Sequence, residues 1–308
     1  RAGVASARAF FRAGVGYGSM DFYSFLIQLL NGVQYGLLLF LVASGLTLIF
    51  GIMGIINLAH GSFYMVGAYM AFTLASLTGN LFAAIVVGIV LSVLLGMLLE
   101  WALISHLYQR DHLEQVLLTY GLILVFEELR SLIVGNDVHG VAVPAIFNWS
   151  IPLTETLSYP VYRLFMSAVC LALAGLLYVL IHRTRIGMMI RAGASNREMV
   201  SALGLNINLV YRLVFALGVA LAAFAGMIAA PVSSVYPGMG TQVLIICFVV
   251  VVIGGIGSIW GALFAALLIG LADTFGKVLL PEAAGVTVYL LMAAILLWRP
   301  EGLFKRVG

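Results

Sequence analysis

The chain has 308 residues, of which 63% are hydrophobic and only 9% charged, with a mean hydropathy of +1.15. A soluble globule carries roughly a quarter charged residues, so this composition excludes one and specifies an all-α, polytopic transmembrane bundle running through nearly the whole length. The net charge of +3 is small and gathered on one side, which bears on orientation and gives no reason to expect a nucleic-acid partner.

Residues 1–19 bear arginines, lack acids and contain no apolar run; they read as an N-terminal extension, upstream or targeting in origin, with no assigned function. Everything from residue 20 to 308 reads as one transmembrane domain. Apolar runs broken by polar, Gly or Pro punctuation predict helices at about 22–50, 62–78, 81–104, 114–134, 160–181, 207–230, 241–256, 257–275 and 285–299. That pattern makes eight or nine spans. The count turns on whether residues 51–61 re-enter the membrane.

Lys and Arg orient the bundle. Arg110, Arg183 to Arg197 and the group Arg299, Lys305 and Arg306 mark the cytoplasmic side, whereas the 136–162 and 231–241 connections contain neither Lys nor Arg. The stretch from Gly135 to Pro160 is then the largest external loop.

Two Gly-rich interruptions occupy corresponding places in the two halves, Gly51-Ile-Met-Gly54-Ile-Ile-Asn57-Leu-Ala-His60-Gly61 and Gly254-Gly255-Ile-Gly257-Ser258-Ile-Trp-Gly261. Paired interruptions of this kind point to discontinuous helices lining a path; the alternative is a pair of tight turns at the membrane surface. Most other glycines read as close packing between helices.

Polar residues inside spans tend to face the protein interior or a wet path. Gln28, Asn31 and Gln34 recur every three residues and so share a face, which borders a permeation route or makes interhelical hydrogen bonds. Asn57 and His60, three apart beside Gly61, line a path or serve structure. Glu127, Glu128 and Arg130 near one external end, and Asp273 with Lys277 near another, read as interface ion pairs; Glu100 beside Trp101 reads as an interface marker. No carboxylate falls convincingly at mid-bilayer, which weakens proton or sodium coupling. Cys170 and Cys247 lie in apolar spans and read as small buried hydrophobes.

The sequence carries no Gly-x-Ser-x-Gly, His-Glu-x-x-His or Cys/His cluster with ligand spacing, so no enzyme or metal site is predicted. It also lacks Gly-x-x-x-x-Gly-Lys-Ser/Thr. Any ATP that drives the protein is hydrolysed on another chain.

The densest polar stretch runs from Arg183 to Gly204. After the basic residues Arg183, Arg185 and Arg191 a short helix is expected from about Ser195 to Leu203, with Ser195 or Asn196 as N-cap, Glu198 in the first turn and Gly204 as the stop. Met199, Val200 and Leu203 would form its apolar edge. Such a helix seats in a partner's groove or lies on anionic lipid.

Arg191-Ala-Gly-Ala-Ser-Asn-Arg-Glu-Met-Val-Ser-Ala-Leu-Gly204-Leu-Asn-Ile-Asn, with Phe215-Ala-Leu-Gly and Ala225-Gly-Met after it, resembles the coupling loop and following helix of the LivH family, the branched-chain amino acid permeases of bacterial ATP-binding-cassette importers. Asn31-Gly, the two Gly-rich runs and the ending Trp298-Arg-Pro-Glu-Gly-Leu-Phe304 extend that likeness over residues 22–304. The resemblance implies a multi-pass subunit of the bacterial inner membrane, in contact with lipid. Its coupling helix would present Ser195, Asn196, Arg197, Glu198, Met199, Ala202, Leu203 and Gly204 to an ATPase, and its route would be lined at Asn57, His60, Gly61, Gly254, Gly255, Gly257 and Ser258. Implied partners are a second, LivM-like permease, two ATPase subunits and an extracytoplasmic binding protein that largely sets selectivity. This chain would hold no cofactor, with ATP and Mg on the ATPases. The solute implied is a branched-chain or related small amino acid, with urea, amides or aromatic carboxylates as alternatives in the same family. A channel or ion-coupled carrier that works without an ATPase is the reading from a different class.

Overall fold

The apolar run that begins at Phe22 has no proline and carries its glycines at positions where another backbone approaches, so it forms one unbroken helix, α1 (Phe22–Met53). The computed structural model describes residues 22–108, 110–155, 157–195, 197–204, 206–279, 281–300 and 302–304, with the backbone alone at 197, 198 and 284. Residues 1–19 and Asn196 lie outside them. The helices that follow are α2 (His60–Thr78), α3 (Leu81–Ala102), α4 (His112–Val134), α5 (Val161–Arg183), α6 (Arg185–Ser195), α7 (Arg197–Ala202), α8 (Ile207–Ser233), α9 (Met239–Gly254), α10 (Ile259–Leu279) and α11 (Ala284–Trp298). Among the described residues the one sheet is a small antiparallel hairpin in the 135–160 loop, β1 (Ser150–Pro152) with β2 (Ser158–Pro160).

The protein is a multi-pass membrane protein. Five helices, α1, α3, α5, α8 and α10, are long and apolar enough to cross a bilayer, and α9 and the core of α11 are shorter apolar helices. α2 and α4, of 19 and 23 residues, are long enough but outside that apolar set. Burial separates centre from rim: 83% of the most apolar window is buried in α1 and in α8, against 22% in α5. α1 and α8 are the axis of the bundle, and the other helices pack around them.

Glycine sets the spacing. In hydrocarbon there is little hydrophobic drive between helices, so association depends on close van der Waals approach at small residues. A Cβ on Gly36 would lie 2.8 Å from the Ala266 carbonyl oxygen of α10, and one on Gly45 would lie 2.7 Å from that of Gly218 in α8. Gly67 of α2 abuts the Ala223 carbonyl of α8, and Gly226 of α8 abuts that of Tyr64. These pairs also fix direction. Gly32 meets Leu271 and Gly51 meets Gly257, so α10 runs antiparallel to α1; Gly88 meets Met227 and Gly96 meets Ala216, so α8 runs antiparallel to α3.

Two ends of the bundle follow. One gathers the start of α1, the α2–α3 turn, the 135–160 loop and the α8–α9 connection, where His139 pairs with Val235 across an isolated bridge. The other gathers the end of α1, the start of α10 and the tail, where Leu303 N donates to Ile253 O at 2.7 Å. The first Gly-rich interruption is a genuine break: Gly54 adopts φ +68, the chain is non-helical to Ala59, and α2 starts deep in the bundle at His60 beside Val42. At the second, Gly255 and Gly257 take φ +91 and +81 and turn α9 into α10.

Replacing Gly67 with Ala should lower the unfolding temperature in detergent and cost about 2 kcal/mol or more, since the new methyl would press on backbone that has no rotamer to change. Gly175→Ala is the control, because nothing lies within 4 Å of its added Cβ, and it should be neutral or stabilising by about 1 kcal/mol. Equal behaviour of the two variants would contradict the packing described.

Candidate functional site

At the end of the bundle that holds the 135–160 loop, α1, α5, α8, α9 and α10 enclose a cavity of about 560 Å³. Its α1 wall carries Gln28, Asn31 and Gln34, the three polar residues of the shared face. Asn31 Oδ1 accepts from Arg163 Nη1 of α5 at 2.7 Å, and Asn31 Nδ2 lies 3.5 Å from Gln28 Oε1. On the α10 wall Asp273 Oδ2 accepts from Lys277 Nζ at 2.6 Å. This pair sits at a cavity wall. Lys277 also lies over the Tyr35 ring at 5.7 Å, and Tyr236 donates to Gln242 Oε1 at 2.8 Å. Leu38, Met166, Val243 and Ile246 supply the apolar part of the lining.

Below this cavity the bundle is closed. Residues 37–49 of α1 are buried without exception, and Phe63 stacks edge-on against Phe126 and Phe215 with centroids 5.7 and 6.0 Å apart. Asn57 and His60, both fully buried, lie in this closed zone and on neither cavity wall. Asn57 Oδ1 accepts from Ala59 N at 3.1 Å, and His60 Nε2 lies 2.9 Å from Val42 O. A carbonyl can only accept, so Nε2 carries the proton and Nδ1 offers a lone pair. Among the described residues that lone pair has no hydrogen-bond partner, nor do Asn57 Nδ2 and Thr47 Oγ1. Gly61 is packed on Gly240, outside either cavity.

Between Asn31 and Gly51 α1 rises about 30 Å, roughly the thickness of a hydrocarbon core. At Gly51 a second cavity opens, of about 780 Å³, on the opposite end of the bundle. Thr47, Gly51, Gly257, Ser258, Arg191 and Ser195 are among its lining residues. Gly257 and Ser258 therefore reach a cavity wall, whereas Gly254 and Gly255 are buried, with Gly254 pressed against Gly261.

A family model described as the permease component of the branched-chain amino acid transport system matches residues 28–297. The chain belongs to that family. It is 31% identical to the high-affinity branched-chain amino acid transport permease BraD of Pseudomonas aeruginosa, over 93% of this chain and 97% of that protein. Against LivH of Escherichia coli K12 the identity is 32%, over 94% and 98%. A probable LivH of Methanocaldococcus jannaschii is 29% identical over 89% and 90%.

In this permease the Arg183–Gly204 segment folds differently from the single short helix expected. Arg185–Ser195 is already helical, and Ser195 closes α6 instead of capping α7, which begins at Arg197. Thr184 Oγ1 accepts from Gly187 N at 3.0 Å, and Arg191 donates to the Ile181 carbonyl at the end of α5. Arg191 thus ties α6 to the bundle, beyond any part in orientation. The expected stop holds: Gly204 takes φ +83 after Leu203 and Gly204 close the last turn on Met199 and Ser201. Met199 and Leu203 are exposed at 58% and 74%, with Ala202 and Gly204 also exposed, while Val200 is 4% exposed. Val200 is a core contact. The large side chains of the outward apolar edge are Met199 and Leu203.

Glu100 is a second correction. It is fully buried, where its place beside Trp101 had suggested an interface marker; Oε2 accepts from Arg212 Nε at 2.7 Å and Tyr108 donates to Oε1. The pair bolts the end of α3 to the start of α8, just after α7. Sequence spacing had no access to it, since the partners are 112 residues apart. Glu127 and Arg130 do pair, at 3.2 Å. Arg163 gave no signal in the sequence because it stands next to a loop, where a basic residue is ordinary.

Glu100→Gln should lower stability by about 2 kcal/mol, below the 3–5 kcal/mol typical of a broken buried pair, because Arg212 is 34% exposed and water would partly replace the carboxylate. Thermal unfolding in detergent measures it, and an unchanged midpoint would contradict the assigned role.

Proposed function

We propose that this chain is the membrane-spanning permease subunit of an ATP-driven importer and forms the route by which branched-chain or related small amino acids cross the bacterial inner membrane. The observation that carries the reading is the arrangement along α1: a polar cavity at one end, a second cavity at the other, and between them a closed zone. Among the described residues, that zone retains unpartnered side-chain atoms at Asn57 and His60, and Thr47 at the edge of the second cavity carries another. Buried polar atoms without partners are costly and ask for an explanation. A passing solute or water that satisfies them in another state supplies one.

On this reading the first cavity is extracytoplasmic and the second cytoplasmic, consistent with Arg110, Arg183, Arg185, Arg191 and Arg299 at the second end. The helices α1–α5 and α8–α11 then make nine crossings, with the non-helical 54–59 and 234–238 completing those of α2 and α9, so that Phe22 lies outside and Phe304 inside. Gln28, Asn31 and Gln34 line the outer part of the path, Asn57, His60 and Gly61 its closed middle, and Gly254, Gly255, Gly257 and Ser258 the inner break. Helix α7 is the coupling element, with Met199 and Leu203 seated in an ATPase groove and Ser195, Asn196, Arg197, Glu198, Ala202 and Gly204 beside them. The remaining partners are a second, LivM-like permease, two ATPase subunits that hold ATP and Mg, and an extracytoplasmic binding protein. The chain performs no catalysis itself. ATP binding shifts the transporter between inward- and outward-open states to the extent that α7 makes different contacts in each.

Gly204→Trp and Glu198→Arg should each reduce ATP-driven uptake of radiolabelled L-leucine about tenfold or more, with the protein still in the membrane: the first because a side chain at φ +83 costs about 1–2 kcal/mol, the second because it puts a cation in the first turn of α7. Uptake unchanged by both would count against coupling through α7. Leucine transport by vesicles lacking any ATPase, driven by an ion gradient, would replace the importer with a carrier.

A further inference from the structure

We infer that the outer cavity is itself an α-amino-acid recognition site, in which Arg163 takes the solute carboxylate and Asp273 its ammonium group. This rests on the transport reading above and deepens it, since selectivity would then lie partly in the permease and not only in a binding protein.

Three features of the cavity carry the inference. Its lining contains two cations, Arg163 and Lys277, and one anion, Asp273, so one positive charge is in excess. Among the described residues no carboxylate pairs with Arg163, whose Nη1 is held by the neutral Asn31. A guanidinium presents a planar fork that matches a carboxylate in two hydrogen bonds, and Asn31 fixes it from one side.

Asp273 is the second feature. It is only 8% exposed, yet it holds an alkylammonium, that of Lys277, at 2.6 Å. Lys277 belongs to the same helix four residues on, and its side chain is 62% exposed. A solute ammonium can therefore take the place of Nζ on Oδ2 while Lys277 swings toward water, leaving the buried carboxylate paired throughout. The third feature is the apolar wall of Leu38, Met166, Val243 and Ile246, which suits an aliphatic side chain, and a cavity of about 560 Å³ is in the range of small-molecule sites. Carboxylate, ammonium and hydrocarbon thus have separate places. A neutral amide or a simple carboxylate would fill only some of them.

The test uses the purified full chain in detergent, with thermal unfolding as the binding readout, and L-leucine, leucinamide and 4-methylpentanoate at millimolar concentration as probes. L-Leucine should raise the unfolding temperature, whereas leucinamide, lacking the carboxylate, and 4-methylpentanoate, lacking the ammonium group, should need about tenfold or higher concentration for the same shift. Arg163→Gln and Asp273→Asn should abolish the leucine shift, and Arg163→Lys should restore part of it. Equal shifts with all three probes, no shift with L-leucine, or a leucine shift that survives both substitutions would each overturn the site. The comparison among probes needs only the wild-type chain, so a variant that fails to fold does not obscure it. ATP-driven uptake is measured separately: leucine binding with the expected probe order but no such uptake would overturn the transport reading and leave the site standing.

Discussion

Backbone contact at glycine is the constraint on which this permease depends. A membrane bundle has little to gain from burying apolar surface against apolar surface, because lipid is already a good solvent for it. α1 and α8 instead approach each other and their neighbours until carbonyls touch Cα atoms, at Gly36, Gly45, Gly67 and Gly226. Once those contacts exist, the remaining helices have few places to go. The antiparallel sense of α1 with α10, and of α3 with α8, sets which helix ends meet and therefore where cavities can open.

The polar groups follow from that frame. Asn31 meets Arg163 because α5 begins at the same end as α1, and Glu100 meets Arg212 because α3 ends where α8 begins. The break at Gly54 returns the chain to the middle of the bundle, so that His60 is presented to the Val42 carbonyl and not to water. What results is a closed middle with a polar cavity above and another below.

The short helix α7 matters for the opposite reason. It is held to the bundle through Val200 and through α6, which Arg191 ties to the end of α5, yet it exposes Met199 and Leu203. On the proposed reading, that outward apolar edge is what a partner would meet.

Much of this was legible in the residues themselves. Apolar run length determined the helices to within a few residues, and three-residue spacing put Gln28, Asn31 and Gln34 on a common face, because these depend only on local periodicity and on the cost of polar groups in hydrocarbon. Local spacing also found the Asp273–Lys277 pair, but not that it borders a cavity. Tertiary structure alone decided that Glu100 is buried, that Val200 faces inward while Leu203 faces out, that Gly257 reaches a cavity while Gly254 does not, and that Arg163 stands opposite Asn31. Each of those depends on which backbones touch across the bundle, and periodicity along one helix says nothing about the neighbour it will meet.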